Sequence, residues 1–363
     1  MKKNAIRRHI VRTGRAVKSV TTLNDGPWRW EVGVRAGLAM GLPVAIFTFA
    51  GNQSLGLMAS LGGFTALYCA SRNPVERLRI LPLVAIGLVI ASTLGVLCSA
   101  NEWLTISCLI VVSALACMLT IGTGLGPPGP IMFVLVAAVS GHLAAPKSLG
   151  GAAVPGKIIP ALVAVGAALA YLVVVAPMIL PRKRKNIVPA TAPVQFFRKI
   201  QFDNITASIS LRVVAGVIIA ALLSRQLGAF RSYWVIIAVV AILQGSHDRR
   251  LSSIRAVQRV LGTVLGVVSF ELIVMTNPSR VWFILIIMLL QFATEVVVTR
   301  NYVLALIFIT PLALSNSTIG RLAESNVTVE GRILDTLLGA AIAMAVFWAG
   351  EAIRILRTRH LKS

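Results

Sequence analysis

The sequence predicts an all-α, polytopic transmembrane bundle of about twelve helices, arranged as two parallel six-helix repeats. Three observations predict it. Of the 363 residues, 57% are hydrophobic and only 13% charged, where a soluble domain carries about a quarter charged residues; the mean hydropathy is +0.85. Apolar blocks of about 17–25 residues, each long enough to cross a bilayer, recur from Val32 almost to the end. Short features of the first half return in the second 171 to 177 residues later. A transmembrane β-barrel would instead show ~10-residue segments of alternating polarity, and no such alternation occurs.

The first half contains spans at 32–50, 54–70, 80–99, 103–121, 128–145 and 157–180. The second contains spans at 208–226, 230–244, 257–276, 281–299, 301–316 and 333–352. This divides the chain into a basic N-terminal arm (1–30), a first repeat (31–180), a basic linker (181–205), a second repeat (206–353) and a basic tail (354–363). Short loops rich in Lys and Arg stay cytoplasmic. Arg72, Arg77 and Arg79, then Arg182 to Lys185, then Arg249, Arg250 and Arg255, then Arg300, all fall in even-numbered loops. Both termini are therefore expected in the cytoplasm, in a multi-pass protein of the cell inner membrane. The loop around Gly124 carries no charge and is silent.

The internal repeat rests on several matches. Arg35 opens the first span and Arg212 the seventh. Gly156-Lys157-Ile158 returns as Gly331-Arg332-Ile333, Ser140 as Ser315, and Leu94-Gly95 as Leu265-Gly266. Six helices per unit is an even number, so both halves insert the same way and form a parallel repeat.

The net charge of +23 does not indicate nucleic acid, because the positive residues sit between apolar blocks and at the ends, where they meet anionic lipid. The first 30 residues are basic but lack a short apolar core with a cleavage site, so they read as an uncleaved arm. Cys69, Cys98, Cys108 and Cys117 lie in apolar segments without a CxxC pair and read as core residues. His9, His142, His247 and His360 stand apart, and no nucleotide, zinc-protease or nucleophile-elbow motif occurs in context. An enzyme, a metal site and a cofactor are not expected.

Binding sites in repeated transporters fall where spans are short or broken at matching places in the two halves. Spans two and eight are short, the first containing Gly63 and the second only eleven apolar residues from Tyr233 to Leu243. Spans five and eleven are interrupted, by Pro128 and Pro130 and by Pro311. Such breaks survive at membrane depth where protein groups or a water-filled cavity satisfy the freed backbone; close helix packing and simple kinks explain the same residues otherwise. Charges within spans are costly, at roughly 2.5–3.5 kcal/mol at the bilayer centre. Arg35 and Arg212 either snorkel to the cytoplasmic boundary or form an anion vestibule. Glu271, Glu295 and Asp335 are the candidates for proton coupling. Pairing of Glu295 with Arg300, or of Asp335 with Arg332 at helical spacing, would make them structural instead. Trp28, Trp30, Trp103, Trp234, Trp282 and Trp348 lie near span ends and fit an interfacial belt.

The segment Ser232-Tyr233-Trp234-Val235 to Leu243-Gln244, followed by a basic loop and Arg255-x-x-x-Arg259-x-x-Gly262-Thr263-x-x-Gly266, resembles the fusaric acid resistance family. The first half shows only Gly63 to Ala70, Arg72, Arg77 and Leu94-Gly95 of that pattern. The resemblance implies an inner-membrane exporter of aromatic carboxylic acids, with Tyr233, Trp234, Gln244, Arg255 and Arg259 joining Arg35 and Arg212 at the substrate path. Many members carry a large cytoplasmic domain where only the linker 181–205 stands here. Distantly similar plant malate-type channels pair six-helix subunits, so a homo-oligomer is compatible with the resemblance. Gly262 and Gly266 present a small-residue face for close helix approach, and Arg255 and Arg259 place positive charge at a cytoplasmic mouth. Membrane lipid and a small organic anion are the expected partners. A passive anion channel and a non-transporting scaffold acting through the basic arm are the alternatives.

Overall fold

A computed structural model of the protein describes residues 22–23, 25, 28–178, 203–225, 233–245, 249–317 and 326–360. The basic arm before Thr22, the linker 181–202, Arg231, His247, Arg321 and Glu324 lie outside the described residues. The described residues form twelve α-helices and no strand: α1 (Trp30–Phe49), α2 (Gln53–Ser60), α3 (Pro74–Leu97), α4 (Glu102–Gly122), α5 (Ile131–Ala144), α6 (Ile158–Val175), α7 (Asn204–Arg225), α8 (Tyr233–Leu243), α9 (Arg249–Met275), α10 (Arg280–Val297), α11 (Tyr302–Ser317) and α12 (Asn326–His360). Eight of them are long and apolar enough to cross a membrane; α5, α8 and α11 are shorter and apolar.

Each helix coincides with an expected span, and local chemistry fixes its ends. α3 begins six residues before its apolar run because Asn73 accepts from the Val75 amide (3.2 Å) and Pro74 occupies the first helical position. α4 starts where the Asn101 carboxamide accepts from the amides of Trp103 and Leu104 (2.9 and 3.2 Å). Asp203 caps α7 by accepting from the Thr206 amide (2.8 Å), and hydrogen bonds from Thr206 hold its carboxyl below the usual range. That cap is complete above the ordinary carboxylate range and lost as pH falls through the depressed value. The second span differs from one regular helix: α2 gives way to a 3-10 turn over Leu61–Leu67, and every residue from Gly56 to Cys69 is buried. The eleventh span differs too. Pro311 lies inside a continuous α11 rather than breaking it.

The exposed apolar residues form stripes. On α3 they are Leu83, Ile86, Ile90 and Leu97, and on α9 they are Val257, Leu261, Val264, Leu265, Val268 and Leu272. The spacing of three and four places each set on one helix face. Stripes this long on most long helices fit a lipid surround rather than water. α8 is different, because every residue from Tyr233 to Leu243 is buried. A helix apolar on all sides belongs in the middle of the bundle.

Helix pairing has a regular pattern. α1 packs on α2 and α6, α3 on α5 and α6, and α2 with its 3-10 turn on α6. Likewise α7 packs on α8 and α12, α9 on α11 and α12, and α8 on α12. Across the middle, α1 packs on α10 and α4 on α7. Small residues set the closest approaches. Gly95 leaves no room for a side chain against the Ala137 carbonyl, and a Cβ on Gly266 would meet the Leu306 carbonyl oxygen at 2.7 Å. Gly62 and Gly166 bring the backbones of the 3-10 turn and α6 together in the same way.

Ser92 and Ser140 share a hydrogen bond of 2.8 Å inside the α3–α5 contact, both fully buried. Ser92→Ala strands the Ser140 hydroxyl and is expected to cost about 1 kcal/mol, whereas the double alanine variant recovers part of that loss. Thermal unfolding in one detergent measures both.

Candidate functional site

Two wholly buried elements, the 3-10 turn of the second span and α8, flank a cavity of about 620 Å³. One wall is apolar and comes from the first half: Leu61, Phe64 and Leu67 from the turn, with Ile131, Met132, Leu135 and Val139 from one face of α5. The rest of the lining comes mainly from α8, α9, α10, α11 and α12; among apolar side chains such as Ile237, Ile309 and Leu312 it carries Trp234, Gln244, Arg255, Arg259, Glu295, Tyr302 and Arg332. Arg29 and Arg300 complete the lining near the start of α1 and the turn between α10 and α11.

The arginines are held in different ways. Arg259, 4% exposed on α9, donates from Nη1 to the Tyr302 hydroxyl (2.8 Å). Arg332, 1% exposed at the start of α12, lays its guanidinium over the Trp234 ring, 3.7 Å from the centroid. Nε of Arg259, and Nε and Nη1 of Arg332, have no hydrogen-bond partner among the described residues. Arg29 lies 3.7 Å from the Glu295 carboxylate, while Arg300 stacks over Trp28 (4.1 Å). Glu295 is thus the one carboxylate facing five arginines among the described lining residues.

The interrupted loop before α5 is satisfied by protein groups. Gln244 donates from Nε2 to the Pro128 carbonyl (3.2 Å), and Tyr68 donates its hydroxyl to the Gly129 carbonyl (2.6 Å). The loop and the end of α8 thereby form one edge of the cavity.

Of the residues singled out from sequence, Trp234, Gln244, Arg255, Arg259, Glu295 and Pro128 line the cavity together. The others do not line it. Arg35 pairs with Glu31 one turn away (2.9 Å), and Arg212 donates to the Ser208 carbonyl (3.2 Å) and stacks on Phe347 (4.9 Å). Tyr233 packs against His142 (5.2 Å between ring centroids), and Gly63 faces the backbone of Ala39 on α1. Pro130 stands at the start of α5 and Pro311 within α11, both off the lining, as are Glu271 and Asp335. Glu295 pairs with Arg29 rather than Arg300, because the start of α1 packs across the end of α10. Trp234 leaves the interfacial set because it lies beneath Arg332, 6% exposed, whereas the other five tryptophans are exposed.

Sequence reasoning missed Arg332, Tyr302, Gln258 and Gln291 as lining residues. In the sequence Arg332 is marked by the Gly-x-Ile context shared with Lys157 and by its spacing to Asp335, and Lys157 itself is exposed.

The whole cationic side of the cavity except Arg29 falls in one stretch of sequence. Residues 214–346 match the family described as fusaric acid resistance protein-like. This fusaric acid resistance-like segment begins in α7 and ends in α12. The chain is similar to the uncharacterized membrane protein YvaC of Bacillus subtilis, 34% identical over 132 residues, covering 36% of this chain and 21% of that protein. It is similar to uncharacterized protein ORF2 of Neisseria gonorrhoeae, 31% identical over 140 residues (38% of this chain, 31% of that protein). A Haemophilus influenzae protein is 31% identical over 120 residues, 32% of this chain and 16% of its own length. The matches thus span less than a third of each of these relatives. No solved structure matches. With its eight helices long and apolar enough to cross a membrane and its likeness to a membrane protein, the chain is a multi-pass membrane protein.

Proposed function

We propose that this protein moves small organic anions, aromatic carboxylates first among them, across the cell inner membrane. The observation that carries the reading is the cavity, whose lining combines five arginines and one glutamate with apolar side chains from the 3-10 turn and α5. A guanidinium presents planar donor pairs that fit a carboxylate, while an apolar surface holds an aromatic ring. Any coupled proton would pass through Glu295, since Glu271 and Asp335 lie off the cavity.

The chain is read as two six-helix repeats, residues 31–180 and 206–353. The most extensive helix pairings within the first half have counterparts in the second, and α1–α10 mirrors α4–α7. Cytoplasmic termini are supported by contacts between loops assigned to one side. Arg72 donates to the Gly124 carbonyl (2.8 Å), and on the opposite side Glu102 meets Arg225 (3.4 Å).

Proteoliposomes containing the full chain should take up radiolabelled benzoate-type acids faster than protein-free vesicles. Acceleration by an imposed pH gradient would establish proton coupling, and indifference to the gradient would establish a passive channel. Failure of every aromatic carboxylate to move would sink the proposal and favour a scaffold.

A further inference from the structure

We propose that the cavity holds two negative charges at once, one at Arg259 and one at Arg332. This rests on the reading of the cavity as an organic-anion site and specifies the charge of what fills it. Arg29 and Glu295 offset one another at 3.7 Å. Arg255 and Arg300 are half-buried, within reach of water. Arg259 and Arg332 are the two lining guanidiniums more than nine-tenths buried.

Neither buried guanidinium forms an ion pair with a described carboxylate. Glu295 is spent on Arg29, and Asp335, three residues further along α12, offsets part of the Arg332 charge through space. A buried charge without a counter-charge is strongly unfavourable, whereas one with a hydrogen-bonded opposite charge is tolerated. Each arginine is also positioned to receive an anion rather than to pack as an apolar stem. Tyr302 fixes Nη1 of Arg259, leaving its Nε without a partner. Trp234 covers one face of the Arg332 guanidinium, which leaves the in-plane N–H groups of Nε and Nη1 to seek an acceptor. In-plane donors of this kind fit a carboxylate edge. Arg259 is held by a phenol on α11 and Arg332 by an indole on α8, and each keeps donors of its own without a partner among the described residues.

Two charges arrive either on a single dicarboxylate or as a pair of monoanions, one of which is inorganic or organic. Titration calorimetry on the purified full chain in a chloride-free zwitterionic buffer separates these sources. The probes are benzoate, benzene-1,3-dicarboxylate and sodium chloride, with Arg332→Gln as the variant. If one dianion fills the cavity, the dicarboxylate binds about tenfold or more tightly than benzoate at one per chain. Arg332→Gln then brings it down to the benzoate value. If two monoanions fill it, benzoate binds at two per chain, or at one per chain with affinity raised by chloride, and Arg332→Gln abolishes the second site or the chloride effect. Either pattern supports the proposal, and the wild-type comparison decides it even if the variant does not fold. Equal, one-per-chain binding of benzoate and the dicarboxylate, indifferent to chloride, overturns it while leaving the organic-anion reading intact. Absence of binding by any carboxylate overturns both.

Discussion

Arg259→Gln is expected to lower the transport rate of an aromatic carboxylate, measured in proteoliposomes well below saturation, by about 10- to 100-fold. The magnitude follows from losing a hydrogen bond to a charged partner, about 1.5–3 kcal/mol, with each 1.4 kcal/mol a factor of ten. The direction follows from geometry, since Arg259 is buried at the cavity wall and anchored by the Tyr302 hydroxyl. Tyr302→Phe should have a smaller effect, about fivefold, because it frees the guanidinium without removing its charge. Arg35→Gln should leave the rate near wild type, because Arg35 is engaged by Glu31 away from the cavity. Equal losses in Arg35→Gln and Arg259→Gln would show that the cationic field as a whole matters rather than the site.

The second large effect concerns folding. Gly166→Val should reduce stability by at least about 3 kcal/mol, read as loss of the folded, monodisperse protein in detergent or a large drop in its thermal midpoint. A side chain there runs into the Ala59 carbonyl oxygen, which is backbone and cannot swing aside. The contact it breaks seats the end of α2 and the 3-10 turn that follows it against α6, and that turn supplies Leu61, Phe64 and Leu67 to the cavity. Gly331→Val is the control. It leaves stability little changed, since nothing lies within 4 Å of a Cβ at that glycine. A folded and active Gly166→Val protein would mean that α6 and the turn can separate without consequence.

Much of this architecture was legible in the sequence because lipid permits so few solutions. A run of apolar residues such as Leu81 to Leu97 has one stable form at membrane depth, and that form is a helix with its backbone paired internally. The eleven apolar residues of α8 read in sequence only as a short span; that no face of it is polar agrees with its burial on all sides. The site was only partly legible. Glycines and prolines mark departures from regular packing, yet Gly63 serves a helix contact, Pro128 a cavity edge and Pro311 a continuous helix. Composition does not separate these outcomes, because each depends on the neighbouring helix. The same holds for charge. Arg35 and Arg332 both stand near span ends, where snorkelling and burial look alike in one dimension. What distinguishes them is a carboxylate one turn away in the first case and an indole from a distant helix in the second.

Because the 3-10 turn and α5 add only apolar side chains to the lining, while every lining guanidinium except Arg29 comes from the second half, the shape and the charge of the cavity can change separately. Substitutions at Leu61, Phe64, Met132 or Leu135 reshape the volume offered to the uncharged part of a cargo without moving a guanidinium. Met132, unbranched and polarizable, already suits rings of differing outline. Reshaping the wall built by the 3-10 turn and α5 therefore changes the outline of the cavity and leaves its five guanidiniums in place.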